Sequence, residues 1–142
     1  MIITPPTNTF ATETTIDLGS RSVRLAYLGD AHTDNDIVMT VSDADVVFAG
    51  DIIEESAPPN FGDSFPLVWP DAVAALRRMG RIFVPGHGDV MTAERVATQH
   101  EELAAVAERC KDYLVSGLFD AKSGPYPEST MQAAFARLSV TG

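Results

Sequence analysis

The chain has 142 residues, of which 45% are hydrophobic and 21% charged, a composition typical of one globular domain with a substantial core. Twenty acidic residues against ten basic ones give a net charge of −10, which argues against binding to nucleic acid or to an anionic membrane, because both need clustered Lys and Arg. One cysteine cannot form an internal disulfide, and no long apolar run or basic leader is seen, so we expect a cytoplasmic protein.

The first half of the sequence predicts short strands joined by turns. Residues 1–10 are rich in Thr and Pro, and we expect them to be a poorly structured lead-in to a single domain that takes up residues 1–142. Polar and apolar residues alternate on both sides of Gly19-Ser20, which predicts a β-hairpin. A second pair of strands is separated by a turn at residues 42–44. The four predicted strands are residues 12–18, 22–28, 36–41 and 45–49.

The second half of the sequence predicts helices connected by loops and one short strand. Prolines and glycine keep residues 54–70 irregular. Gly80 follows the first helix, and we expect it to adopt the left-handed conformation that caps a helix. A strand at residues 81–84 comes next, and Thr92 then caps a long helix that reaches roughly Gly117. The three predicted helices are residues 70–79, residues 92–117 and a last one from about residue 129.

This order of elements predicts an α/β (α+β) fold, in which a mixed sheet carries helices on one face. The apolar run at residues 46–49 is typical of a strand that is buried on both faces. The chain has too few further elements to cover the second face. We therefore expect an uncovered apolar sheet face, which would be a surface for association with a second copy or another polypeptide.

Three potential metal ligands each follow a strand-like run. His32 lies in the loop after the second predicted strand, Asp51 follows a buried strand directly, and His87 stands between two glycines. A carboxylate that follows a buried strand is costly to bury without a partner. One carboxylate and two imidazoles suit Zn²⁺, one or two ions, with Fe or Mn as alternatives. The alternative roles are a turn cap for Asp51 and ordinary surface loops for the histidines.

Neighbouring polar residues are suited to fix the His32 loop. Thr33 and Asp36 can hydrogen-bond locally, and either Asp34 or Asp36 could orient the imidazole. The third histidine, His100, lies on the apolar stripe of the long helix, and we interpret it as a hydrogen-bonded structural residue. Cys110 lies on the same stripe and is interpreted as a core residue rather than a nucleophile.

The three motifs together resemble the metallo-β-lactamase fold hydrolases, in particular their glyoxalase-II-like branch. The motifs are Gly-x-x-His-Thr at residues 29–33, Phe-x-Gly-Asp at residues 48–51 and Pro-Gly-His-Gly at residues 85–88. The resemblance covers about residues 10–115. It implies that His32 binds a first metal ion, that Asp51 bridges two ions, and that His87 binds the second.

The resemblance is to the C-terminal half of that family only. The family's His-x-His-x-Asp-His cluster, which provides the other ligands and the water-orienting aspartate, has no counterpart in this sequence. The resemblance thus implies one half of an αββα sandwich, with no catalytic residue assigned in this half. By the same resemblance, residues 54–69 would be a loop near the active site, where Phe61, Phe65 and Trp69 could line a substrate pocket or pack in the core.

Three functional hypotheses follow. The first is a metal-dependent hydrolase of small molecules, whose complementary N-terminal half lies on a longer chain or on a separate polypeptide, so that this chain alone is nearly inactive. The second is a non-enzymatic module that dimerises through the uncovered sheet face. The third is a homodimer that shares ligands, and we disfavour it because two copies still lack the water-orienting aspartate. The glycine-flanked histidines favour the first hypothesis.

Overall fold

One mixed sheet and three helices make up the fold in the computed structural model, which describes residues 4–118 and 120–139. No helix or strand occurs in residues 4–12. The strands are β1 (Glu13–Asp17), β2 (Ser22–Tyr27), β3 (Ile37–Val41), β4 (Val46–Gly50), β5 (Ile82–Pro85) and β6 (Met91–Thr92). The helices are α1 (Trp69–Leu76), α2 (Ala93–Ser116) and α3 (Glu128–Leu138).

The strands lie in the sheet in the order in which they occur in the sequence. All neighbouring pairs are antiparallel except β4 and β5, which are parallel because the irregular segment and α1 carry the chain back across the sheet. This confirms the predicted mixed sheet and the predicted hairpin of β1 and β2. The two-residue strand β6 was not predicted, since it is too short to show a pattern.

The register of the sheet places its side chains on two faces. Thr40, Val47 and Phe83 are aligned across β3, β4 and β5, and each is at most 4% exposed. They lie on what we call the covered face, whose apolar residues share one core with the helices. Phe48, the neighbour of Val47, points to the opposite side and is 40% exposed.

We call that opposite side the open face, and it is apolar across five strands. Residues 8–10 lie beside Ile16 and Leu25 at its β1 end. The expected uncovered face is therefore present in the described part of the chain, and Val46–Gly50 is packed on one side only. Four large side chains on the open face are between 40% and 51% exposed: Ile16, Ile37, Phe48 and Ile82.

The helix boundaries confirm the prediction for α2 and correct it for α1. The Thr92 hydroxyl accepts a hydrogen bond from the Arg95 amide at 3.3 Å, and α2 ends at Ser116 with Gly117 as its left-handed cap. In contrast, α1 ends at Leu76, and Gly80 is not left-handed. A Cβ on Gly80 would lie 2.8 Å from Val47 Cγ2, so this glycine lets the chain pass close to β4 instead of capping the helix.

His100 and Cys110, the two α2 residues interpreted as structural, lie in different surroundings: His100 has a polar partner and Cys110 is buried. His100 Nδ1 lies 3.1 Å from the Arg77 guanidinium, and Cys110 is fully buried. Burial raises the pKa of the Cys110 thiol to about 11. Among the described residues, no single helix is both long enough and apolar enough to span a bilayer.

Candidate metal centre

The three predicted ligands converge at one end of the sheet. Asp51 comes directly after β4, and its side chain is one-third exposed. His87 Nε2 lies 3.5 Å from Asp51 Oδ1, and His32 Nδ1 lies 3.9 Å from Asp51 Oδ2. Asp51 thus stands between the two imidazoles, although His32 and His87 are 55 positions apart in the sequence.

Local hydrogen bonds fix the loop that carries His32. The Asp36 carboxylate accepts the Thr33 amide at 2.7 Å and the Thr33 hydroxyl at 2.8 Å, and its Oδ1 lies 3.9 Å from His32 Nδ1. The His32 and Trp69 rings pack in an edge-type contact, with ring centroids 5.8 Å apart. Asp34 is exposed and hydrogen-bonded to Asn35. The structure therefore places Thr33 and Asp36, but not Asp34, next to the imidazole.

Close packing against Asp51 fixes the loop that carries His87. The Gly86 amide donates to the Gly50 carbonyl at 2.8 Å, and the Glu55 amide donates to the His87 carbonyl at 3.2 Å. A Cβ on Gly86 would lie only 1.8 Å from Asp51 Oδ1. Glycine is thus required for this approach, and the His87 side chain is left 68% exposed at the surface.

Two buried side chains bind the backbone that follows Asp51. The Trp69 indole donates to the Ile52 carbonyl at 3.0 Å. The Gln99 amide pairs with Glu54 twice: its oxygen accepts the Glu54 amide at 3.0 Å, and its nitrogen donates to the Glu54 carbonyl at 2.7 Å. Sequence reasoning missed Gln99. The signal was available, because a glutamine among the apolar positions of α2 needs a buried partner.

Glu54 was also missed, although it lies next to the predicted ligands. The residue is 6% exposed. Burial is the main cause that raises the pKa of its carboxyl, and the nearby Asp51 carboxylate raises it further, whereas His32 and His87 lower it. The Glu54 carboxyl is therefore within the electrostatic field of the three predicted ligands. Its only sequence signal was an acidic residue directly after the apolar pair Ile52-Ile53.

The aromatic residues considered for a substrate pocket lie in different environments. Phe61 and Trp69 are each 1% exposed and pack edge to face, with ring centroids 5.3 Å apart. These two residues therefore pack in the core and do not line a pocket. Phe65 is half-buried, and the Arg137 guanidinium lies 5.5 Å from its ring centroid. Phe65 and Arg137 also line a groove together with Thr33, which is adjacent to His32. Phe65 is thus the member of this set that borders open space near the candidate centre.

The chemistry of the donor set fits zinc, although this chain provides only part of a centre. Two donors on one tetrahedral zinc are roughly 3.4 Å apart, because Zn–N and Zn–O bonds are about 2.0–2.2 Å long. The Asp51–His87 separation of 3.5 Å is close to that value, and the Asp51–His32 separation of 3.9 Å is longer. In residues 4–118 and 120–139, no group of three or more His, Cys, Asp or Glu side chains is arranged so that it could hold a metal ion.

Comparisons with known proteins point to one fold. No family model matches the chain. A curated relative, a metallo-β-lactamase type 2 from Bacteroides fragilis, is 29% identical over an alignment of 90 positions that covers 59% of this chain and 36% of the relative. Among solved structures, a metallo-β-lactamase from Pontibacter korlensis superposes with a TM-score of 0.63 at 24% identity, covering 70% of this chain and 49% of that protein.

A second solved structure agrees. The metallo-β-lactamase FIM-1 from Pseudomonas aeruginosa, in its mono-zinc form, superposes with a TM-score of 0.59 at 20% identity, covering 70% of this chain and 46% of that protein. The chain thus spans about a third of the curated relative and about half of each solved structure. At these identities the likeness shows the fold.

Proposed function

We propose that this chain, which has the metallo-β-lactamase fold, forms part of a metal-dependent hydrolase and holds zinc through His32, Asp51 and His87. The observation that supports this proposal most strongly is the convergence of both imidazoles on the Asp51 carboxylate, at 3.5 and 3.9 Å. Zinc, when bound, supplies a Lewis acid and lowers the pKa of water to about 7, which provides hydroxide for hydrolysis at neutral pH.

The chain's own residues hold these three side chains in place. Asp36 restrains the His32 loop through its two hydrogen bonds to Thr33. The absence of a side chain at Gly86 allows the His87 loop to lie against Asp51. Such supporting contacts are what metal sites use to orient their ligands before the ion binds. The exposed position of His87 and the one-third exposure of Asp51 leave room for a small-molecule substrate.

The proposed centre needs further ligands from outside these 142 residues. By resemblance, these are the His-x-His-x-Asp-His residues of a complementary N-terminal half, on a longer chain or on a separate polypeptide. We propose that this half packs a second sheet on the open face, because stacked sheets bury apolar faces of this kind. The proposal begins with one zinc ion shared by His32, Asp51 and His87, and a second ion, which the resemblance implies, would depend on the ligands of that complementary half.

A second candidate function is a non-enzymatic module that dimerises through the open face. The exposed Ile16, Ile37, Phe48 and Ile82 side chains favour it, because monomeric proteins rarely expose contiguous apolar patches of this kind. The two functions differ in metal content. The hydrolase binds zinc at His87, whereas the module needs none.

The test is zinc stoichiometry by elemental analysis of the 142-residue chain after dialysis against zinc, together with its mass in solution. We expect zinc in the unmodified chain and its loss in His87→Ala, with little change in fold because this side chain is exposed. The matched control is His100→Ala, which removes a histidine outside the centre and should keep the zinc. Equal zinc content in His87→Ala refutes the ligand assignment, and a dimer without zinc supports the module.

A further inference from the structure

Arg137, in the last turn of α3, binds the irregular segment near the candidate metal centre. Its Nε donates to the Ser64 carbonyl at 2.7 Å, and its Nη2 donates to the Asp63 carbonyl at 3.2 Å. The guanidinium also lies 5.5 Å from the centroid of the Phe65 ring. Ser64 is fully buried, so its carbonyl needs a partner inside the protein. Arg137 thus holds three consecutive residues of this segment.

The same segment is bound to the loop that carries His32. The Phe65 amide donates to the Ala31 carbonyl at 2.9 Å, and the Ala31 amide donates to the Thr33 carbonyl at 3.0 Å. Ala31 is fully buried and directly precedes His32. The Phe65 carbonyl accepts the amide of Trp69 at 3.0 Å, and the Trp69 ring packs with the His32 ring. Contacts therefore lead from Arg137 through Phe65 to both the backbone and the ring of His32.

Two observations favour a supporting role for Arg137 over the binding of a substrate anion. Its Nε and Nη2 already donate to carbonyls of the protein backbone. The groove that Arg137 lines with Phe65 also contains the exposed carboxylates of Asp34 and Asp63, which repel an anion. In addition, α3 lies beyond residues 10–115, which carry the resemblance to known hydrolases, so that resemblance assigns no role to Arg137.

We propose that Arg137 is a positioning residue for His32, and that it sets the zinc affinity of the candidate centre through residues 63–65 and Ala31. The effect on zinc rests on the proposed function, whereas the effect on the His32 loop is measured without metal. A planar guanidinium suits this task, because it donates to neighbouring carbonyls in a fixed geometry while it stacks on a ring, and a lysine ammonium does not reproduce this. Supporting contacts of this kind orient ligands before an ion binds.

Electrostatics and positioning predict opposite effects of removing the Arg137 charge. If the guanidinium acted only through its charge, Arg137→Gln would strengthen zinc binding, because a positive charge repels a cation. If Arg137 positions His32, the same variant weakens binding. Arg137→Lys keeps the charge but loses the planar group, so positioning predicts weaker binding there too. Arg109→Gln is the matched control, since it removes one positive charge from α2, where Arg109 lies 3.9 Å from Asp112.

The first measurement is amide hydrogen exchange in the metal-free 142-residue chain and in the three variants. We expect both Arg137 variants to lose about tenfold in protection at the Phe65 and Ala31 amides, because the segment that holds these bonds is released. The amides of Gly86 and Glu55, which bond in and around the His87 loop, should keep their protection. Equal loss of protection across the whole sheet would overturn the proposal, because Arg137 would then serve global stability alone.

The second measurement is zinc affinity by titration calorimetry on the same chains. We expect both Arg137 variants to bind zinc about 3–10-fold more weakly, a smaller loss than for a residue that contacts a ligand directly, because Arg137 acts through other residues. Arg109→Gln should match the unmodified chain in both measurements. Should Arg137→Gln fail to fold, Arg137→Lys provides the same two readouts.

Each other outcome has a defined meaning. Zinc binding that is unchanged or tighter in Arg137→Gln overturns the positioning role, and so does full affinity in Arg137→Lys. Unchanged protection at Phe65 and Ala31, in a chain that binds zinc, overturns this inference alone. An unmodified chain that binds no zinc overturns the proposed function and, with it, the effect of Arg137 on zinc.

Discussion

The two faces of the sheet have similar apolar side chains but different surroundings. On the covered face, Phe83 is fully buried against the helices, whereas on the open face Phe48 of the neighbouring strand is 40% exposed. Both strands lie in one regular sheet, so the difference arises from what packs on each side. The comparison shows that this chain builds its own core from one face alone, and that the open face is available for a partner.

A matched pair of phenylalanine variants measures this difference, and it has the largest expected effect. Phe83→Ala should lower the free energy of unfolding by about 3–5 kcal/mol, because it leaves a cavity in a closed core. Phe48→Ala should lower it by about 1 kcal/mol or less in the monomer, since its side chain is already in contact with water. Urea unfolding at low protein concentration compares the two. Equal losses would show that the open face is covered in the free chain.

The covered side also supports the candidate metal centre, through the contact of Gln99 with Glu54. Gln99→Leu leaves the buried Glu54 amide and carbonyl without partners, and should lower the free energy of unfolding by about 1–3 kcal/mol. It should also weaken zinc binding, because the backbone after Asp51 is released. Gln132→Leu, an exposed glutamine on α3, is the control for both measurements. Zinc affinity unchanged in Gln99→Leu would show that this contact serves stability alone.

The strands and the long helix could be predicted because their signals are local. The alternation of polar and apolar residues around Gly19-Ser20 predicted the hairpin, and Thr92 and Gly117 marked the two ends of α2. Gly80 was assigned wrongly because its role depends on its approach to Val47, which lies 33 positions earlier and in another element. A glycine that follows a helix gives the same local signal whether it caps the helix or lets the chain pass close to a strand.

The candidate centre could be predicted only in part for the same reason. His32, Asp51 and His87 each occupy a recognisable position at a strand end, and the structure brings them together. The Gln99–Glu54 pair joins residues 45 positions apart, and no local pattern connects a helix glutamine with an irregular segment. Partners of this kind become visible only when the sheet and helix are packed.

Anomalous X-ray diffraction tests most directly whether His32, Asp51 and His87 bind one zinc ion between them. The measurement uses crystals of the 142-residue chain grown with zinc chloride, with data collected on both sides of the zinc absorption edge. We predict an anomalous peak about 2.0–2.2 Å from a donor atom of each of the three side chains. Peaks only at other carboxylates of this acidic chain, with none beside Asp51, would contradict the claim.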